Sequence, residues 1–133
     1  MPSEQLTQTS FSPRQLSGAA LRTFFNIAAA WRLTVEQQRI LLGAVPSSTF
    51  FKWKKQADAV SLTKDTLERI SYVLGIYKAL QILLPQPEIA DTWVHRPNKA
   101  SLFGGKSALE RMLSGHVSDL FVVRQYLDSQ RGW

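Results

Sequence analysis

The chain has 133 residues, with 16 Lys plus Arg, 10 Asp plus Glu and no Cys, giving a net charge of +6 and a pI near 10.0. Without Cys there are no disulfides, no Cys-ligated zinc and no thiol nucleophile, and the two His, His95 and His116, give thin support to a metal site or a catalytic pair. No apolar run approaches the about 18 residues of a membrane span, and residues 1–15 lack the basic start and apolar stretch of a signal peptide, so the chain reads as a cytoplasmic protein of one domain, or of two small ones sharing a core.

Residues 1–12, rich in Ser, Thr and Gln, read as a flexible tail. Ser12 followed by Pro13 has the form of a helix start, with Ser12 as N-cap and Pro13 in the first turn. Leu16, Ala19, Ala20, Phe24, Ile27 and Trp31 then recur at spacings of three and four and predict one apolar helix face. Thr34 opens a second helix with Gln37 at the capping-box position, and Ile40, Leu41 and Leu42 run to a stop at Gly43. After a short link, Ser47, Ser48 and Thr49 are placed to cap a third helix that carries Phe50, Phe51 and Trp53 among Lys52, Lys54 and Lys55. A polar stretch, 56–61, breaks it.

Residues 63–84 predict a long helix with Leu67, Ile70, Val73, Leu74, Tyr77, Leu80 and Leu83 on its apolar face, weakened by up to about 1 kcal/mol at Gly75. That face is too wide for one three-helix unit. It predicts a spine, with the N-terminal helices on one side and the C-terminal helices or a second protomer on the other. Pro85 and Pro87 end the helix. A short helix over 88–94, a loop over 95–106, a helix over 107–113 capped by Ser107 with Glu110 at its capping-box position, and a last helix over 117–129 with Leu120, Val123, Tyr126 and Leu127 inward complete the chain. No alternating strand pattern of useful length occurs. The fold class is all-α: a helix-turn-helix bundle at 13–84 and a small helical domain at 85–133, joined through the long central helix.

Charge is uneven along this plan. Residues 1–84 hold ten basic and five acidic groups, and residues 85–133 hold six and five, so a polyanion-facing role falls on the first part. Its most specific segment is 33–53, LTVEQQRILLGAVPSSTFFKW: an amphipathic helix, a Gly stop, a turn, and a helix opening with small hydroxyl residues. Val45 is expected to pack under the turn, and Phe50 and Trp53 to pin the second helix to the core. The opposite face offers Ser47, Ser48, Thr49, Lys52, Lys54 and Lys55 as DNA contacts, hydroxyls and backbone amides at the helix start and lysines beyond. No Arg, Asn or Gln lies between Pro46 and Lys55, so the bidentate base readers are missing and specificity falls to dimer spacing and DNA shape. The same residues also fit a plain helical bundle with solvated lysines.

In the C-terminal segment Ala90, Trp93, Pro97, Asn98, Phe103, Gly104, Gly105, Ser107, Ala108, Leu109 and Gly115 form a spaced pattern. Gly-Gly-Lys-Ser at 104–107 is not a phosphate loop, since it lacks the four-residue spacer and the preceding strand. It reads as a tight turn into a capped helix. This pattern, downstream of the helix-turn-helix, resembles the toxin-binding domain of the Xre/MbcA/ParS antitoxin family, and the two parts together span about 14–133. In the first motif helix Gln38 and Arg39 stand where the Xre pattern has a small residue, and the turn runs one residue longer, through Ala44.

The resemblance implies a type II antitoxin, often dimeric, whose partner is a RES-domain toxin that consumes NAD⁺ or transfers ADP-ribose through an arginine-lined pocket. The antitoxin occludes that pocket and represses its own promoter. On this reading the toxin contacts are Asn98, Lys99, Phe103, Gly104, Gly105, Lys106, Arg131, Gly132 and Trp133, with the Trp133 indole and terminal carboxylate suited to a basic nucleotide pocket. The tail equally fits a fold-back onto its own domain. No enzyme, cofactor or metal role is expected. The alternatives are a stand-alone Xre-like regulator whose C-terminal part only dimerises, and an adaptor that does not bind DNA.

Overall fold

The computed structural model describes residues 12–132; the remainder of the predicted tail and Trp133 lie outside them. Seven α-helices are present among the described residues: α1 (Pro13–Ala30), α2 (Val35–Leu41), α3 (Ser47–Lys55), α4 (Lys64–Leu83), α5 (Pro87–Thr92), α6 (Ala108–Met112) and α7 (Val117–Gln130). Four start at a hydroxyl cap: the sequence predicts those at Ser12, Thr34 and Ser107, and Thr63 is a further one. The Ser12 hydroxyl accepts from the Gln15 amide and the Gln15 side chain returns to Ser12, Thr34 and Gln37 form the same reciprocal pair, and the Thr63 hydroxyl accepts from the Thr66 amide. Ser107 caps α6 through the Glu110 amide at 3.1 Å. The third helix departs from expectation. Its N-cap is Pro46, and no side chain caps it, so Ser47, Ser48 and Thr49 lie inside its first turn.

The central helix is the spine that the sequence required. α1 and α7 both pack along α4, and one continuous core runs from Phe24, Trp31 and Phe50 through Val73 and Ile76 to Val94, Met112 and Val123. Each such fully buried side chain contributes about 2 kcal/mol. The inward faces differ in detail from the periodic reading. In α4 the buried residues are Thr66, Ile70, Val73, Ile76, Ala79 and Leu80, while Leu67, Leu74, Tyr77 and Leu83 are half-buried. A helix covered from two sides has no single stripe for a 3.6-residue period to report.

In α1, Leu16 and Ala19 are exposed, and Ser17, Gly18 and Leu21 are buried instead. The cause is the segment after α3. Its 3₁₀ turn, Ala57–Ala59, lies on α1, the Ser17 hydroxyl accepts from the Leu62 amide at 2.8 Å, and Arg22 pairs with Asp58. A methyl on Gly18 would run into Asp58, so the polar linker is a packed layer.

Two arginines hold the C-terminal helices to the spine. Arg69 on α4, with a side chain 12% exposed, donates Nε to Asp65 and Nη1 to the Gly115 carbonyl, both at 3.0 Å. Arg124 on α7 lies across α4 at Gly75, where an added Cβ would sit 2.5 Å from its Nε. The weak point in the helix is thus the clearance for a guanidinium.

Candidate nucleic-acid and partner interfaces

The turn between α2 and α3 is held from inside. Gly43 and Ala44 have φ of 108° and 61°, a left-handed pair natural for Gly and strained for Ala. The Arg39 carbonyl accepts from the Ala44 and Val45 amides at 2.8 and 3.3 Å. The Arg39 side chain then reaches over the turn to donate Nε to the Val45 carbonyl at 2.8 Å, while Nη1 pairs with Glu36 at 3.0 Å. Gln38 is buried and donates to the Leu33 carbonyl at 3.1 Å. Of the two residues that depart from the Xre pattern, Arg39 therefore braces the turn and Gln38 ties α2 to the chain before it. Sequence spacing offered no signal for either bond.

α3 presents a split surface. Phe50 is fully buried, with Phe25 edge-on at 5.7 Å, and Trp53 is half-buried against the core. Ser47, Ser48, Lys52, Lys54 and Lys55 are exposed, and Thr49 is half-buried. Lys54 arches back so that Nζ lies 5.1 Å over the Phe25 ring, a cation–π contact that directs it away from its neighbours. Phe51, to which sequence spacing assigns no role, is 52% exposed among these residues.

Residues 97–107 close on themselves. Pro97 and Ser107 pair as an isolated antiparallel bridge. The Asn98 amide donates to the Lys106 carbonyl, the Gly105 amide to the Asn98 carbonyl, and the Asn98 side chain accepts from the Ala100 amide at 2.9 Å. Lys99, Gly104, Gly105 and Lys106 are exposed on this turn. Phe103 is 5% exposed, and its ring meets Trp93 at 6.0 Å and Tyr126 at 5.3 Å, both edge-on. It holds the turn from beneath, and Asn98 shapes it from within.

Behind the turn, Arg111 donates to the Leu102 carbonyl and to Asp119, each at 2.9 Å. A hydrogen bond from the Ser114 hydroxyl, at 2.5 Å, and the Arg111 guanidinium hold the Asp119 carboxyl below the usual carboxylate range. A shallow cavity of about 320 Å³ lies here, lined by Leu102, Phe103, Lys106, Ser107, Glu110 and Arg111. Sequence reasoning missed Arg111 and Asp119. Further along, Arg131 sits 3.5 Å from Asp128, and Gly132 has φ 81°. Trp133 lies outside the described residues.

His95 Nε2 lies 2.6 Å from the Trp31 carbonyl and ties α1 to the segment after α5. Among the described residues no group of three His, Asp or Glu is placed to hold a metal ion, and no helix is long and apolar enough to cross a membrane.

A basic helix-turn-helix followed by a closed Gly-Gly turn on a helical support defines a two-part binding protein. Residues 11–75 match the antitoxin Xre-like helix-turn-helix domain, and residues 79–132 match the antitoxin Xre/MbcA/ParS C-terminal toxin-binding domain. The chain is also 53% identical over 114 residues to the uncharacterized protein y4oB of Sinorhizobium fredii (strain NBRC 101917 / NGR234), covering 86% of this chain and 85% of that protein. The chain belongs to the Xre/MbcA/ParS antitoxin family, with the helix-turn-helix and the toxin-binding domain both present.

Proposed function

We propose that this protein neutralises a RES-type toxin that consumes NAD⁺ or transfers ADP-ribose, by covering the toxin's substrate pocket, and that it represses its own operon through α3. It acts in the cytoplasm by binding, without catalysis. The observation that carries the reading is the pairing, on one core, of an exposed Ser/Lys helix face with a rigid turn inside the segment matched by the toxin-binding domain. Lys99 and Lys106 with the Gly104-Gly105 backbone form the outer surface of that turn, and residues 131–133 are the second candidate element. The decisive experiment is co-expression with the adjacent reading frame, followed by co-purification and growth rescue. Rescue with a stable complex is expected. A chain that binds its promoter but neither rescues nor co-purifies is a stand-alone regulator.

The reading includes a homodimer. The support is an apolar groove of about 380 Å³ between α1 and α4, lined by Leu16, Ala19, Ala20, Thr23, Leu67, Ile70, Ser71 and Leu74, with Leu16 48% exposed. Apposition of this groove with that of a second copy would cover the exposed Leu16 and the half-buried Leu74, so the support for a dimer is apolar. Sedimentation equilibrium of the full chain tests it: a concentration-independent monomer overturns the dimer.

A further inference from the structure

The residue of α3 that the DNA reading leaves unused is Phe51. We propose that Phe51 reads thymine, by seating its ring against the 5-methyl group in the major groove. This rests on the DNA-binding role proposed above and names the base edge that α3 selects.

Phe51 is 52% exposed on a helix whose neighbouring ring, Phe50, is fully buried. The two rings meet edge-on at 5.2 Å and 84°, so Phe50 supports the Phe51 ring from the core side. At helical spacing the side chains beside it are Ser47 and Ser48 in the preceding turn and Lys55 in the following one, Lys54 being folded back over Phe25. Protein interface cores are depleted in lysine, and α3 contains three lysines and no acidic residue. An aromatic ring set among hydroxyls and lysines on a recognition helix suits a duplex better than a protein groove.

Chemistry then narrows what the ring reads. Lysines at this surface supply phosphate contacts, which carry no sequence information. Hydroxyls donate or accept, so they discriminate weakly among base edges, and α3 has no Arg, Asn or Gln for bidentate recognition of a purine. The one apolar mark on a major-groove edge is the thymine methyl. A ring held out from the helix surface by its neighbour is shaped to bury that methyl.

The test uses the full chain. Duplexes are first selected from a random-sequence pool, and each thymine of the selected site is then replaced in turn by deoxyuridine, which removes the methyl and leaves base pairing intact. One position should weaken binding by about fourfold, the value of burying one methyl-sized group. Phe51→Ala should lower affinity for the thymine site to the same degree, become indifferent to deoxyuridine at that position, and keep the wild-type salt slope and melting temperature. Selected sites with no sensitive position, or a Phe51→Ala chain that keeps the sensitivity, would overturn the inference while the DNA reading stands. Loss of affinity on Phe51→Ala with no methyl dependence would instead mark the ring as a wedge between base steps, and also overturns it. If no duplex is retained even at low salt, the DNA-binding role fails and the inference with it.

Discussion

On α3 the candidate contact residues stand on the outside of a regular helix, whereas at residues 97–107 several of theirs are inside the fold. Ser47, Ser48, Lys52 and Lys55 are exposed, and the buried partners that orient them, Phe50 and Trp53, are different residues. In the C-terminal turn one short stretch supplies both layers: Phe103 and Asn98 build it, and Lys99 and Lys106 show on its surface. A regular helix separates inside from outside by periodicity alone. An irregular turn must use its own side chains to satisfy its backbone. Substitutions should therefore affect binding alone in the first region, and stability together with binding in the second.

The largest expected effect breaks both regions at once. Val73 is fully buried in the spine, and Val73→Asp should cost about 4 kcal/mol through an unpaired buried charge. Urea denaturation should show the two halves failing in one transition; a surviving transition in either half would show independent cores. Its neighbour Leu74, half-buried in the α1–α4 groove, gives the contrasting variant. Leu74→Asp should leave the fold intact and yield a monomer in sedimentation.

Phe103→Ala should cost about 3 kcal/mol, as a buried aromatic removed from its cavity, and should abolish rescue from the toxin. Lys99→Ala with Lys106→Ala should weaken rescue with stability unchanged to within about 0.5 kcal/mol. If the lysine pair melts the protein as much as the Phe103 variant does, the division between support and surface is wrong.

A purely interfacial effect is expected on the other side. Lys52→Ala with Lys55→Ala should flatten the salt dependence of DNA binding by about 0.9 in log–log slope for each phosphate that is no longer neutralised, and leave toxin neutralisation unchanged. An unaltered slope would move the DNA face elsewhere.

The smallest effect is on pH. Because the Ser114 hydroxyl and Arg111 lower the Asp119 carboxyl below its unfolded value, the folded state binds this proton less readily. Its contribution is full above the ordinary carboxylate range and disappears as acid takes the pH down through the lowered value. Asp119→Asn should shrink the acid limb of a stability–pH curve and leave the neutral region lower and flatter; an unchanged acid limb would show that the carboxylate carries no linkage.

Much of this organisation was legible in the chain. The caps at Ser12, Thr34 and Ser107 and the stop at Gly43 are local codes that held, whereas the hydroxyl cap expected at 47–49 gave way to Pro46. Leu16 and Ala19 misled because their helix face is decided by a linker forty residues away, and Gly75 misled because its partner is Arg124 on another helix. Arg39, Arg111 and Asp119 look like solvated charges until the carbonyls and hydroxyl they meet are in place. For the site, the exposed hydroxyls and lysines of α3 followed from helical spacing, while the buried role of Phe103 needed Trp93 and Tyr126 brought together.

The Arg69 side chain has a consequence for assembly. It holds the carbonyl before α7 on one side, and on the other it packs beside Gly43, where an added Cβ would meet its Nε at 3.4 Å. One guanidinium thus touches the turn that aims α3 and the corner that launches α7. A corner pinned at both ends leaves little hinge between them, so if α3 binds a duplex and the C-terminal half a toxin, as proposed, the toxin would be held at a set bearing and distance from the DNA. How bulky that toxin can be before it strikes the neighbouring phosphates is then a matter of architecture, set before either ligand arrives.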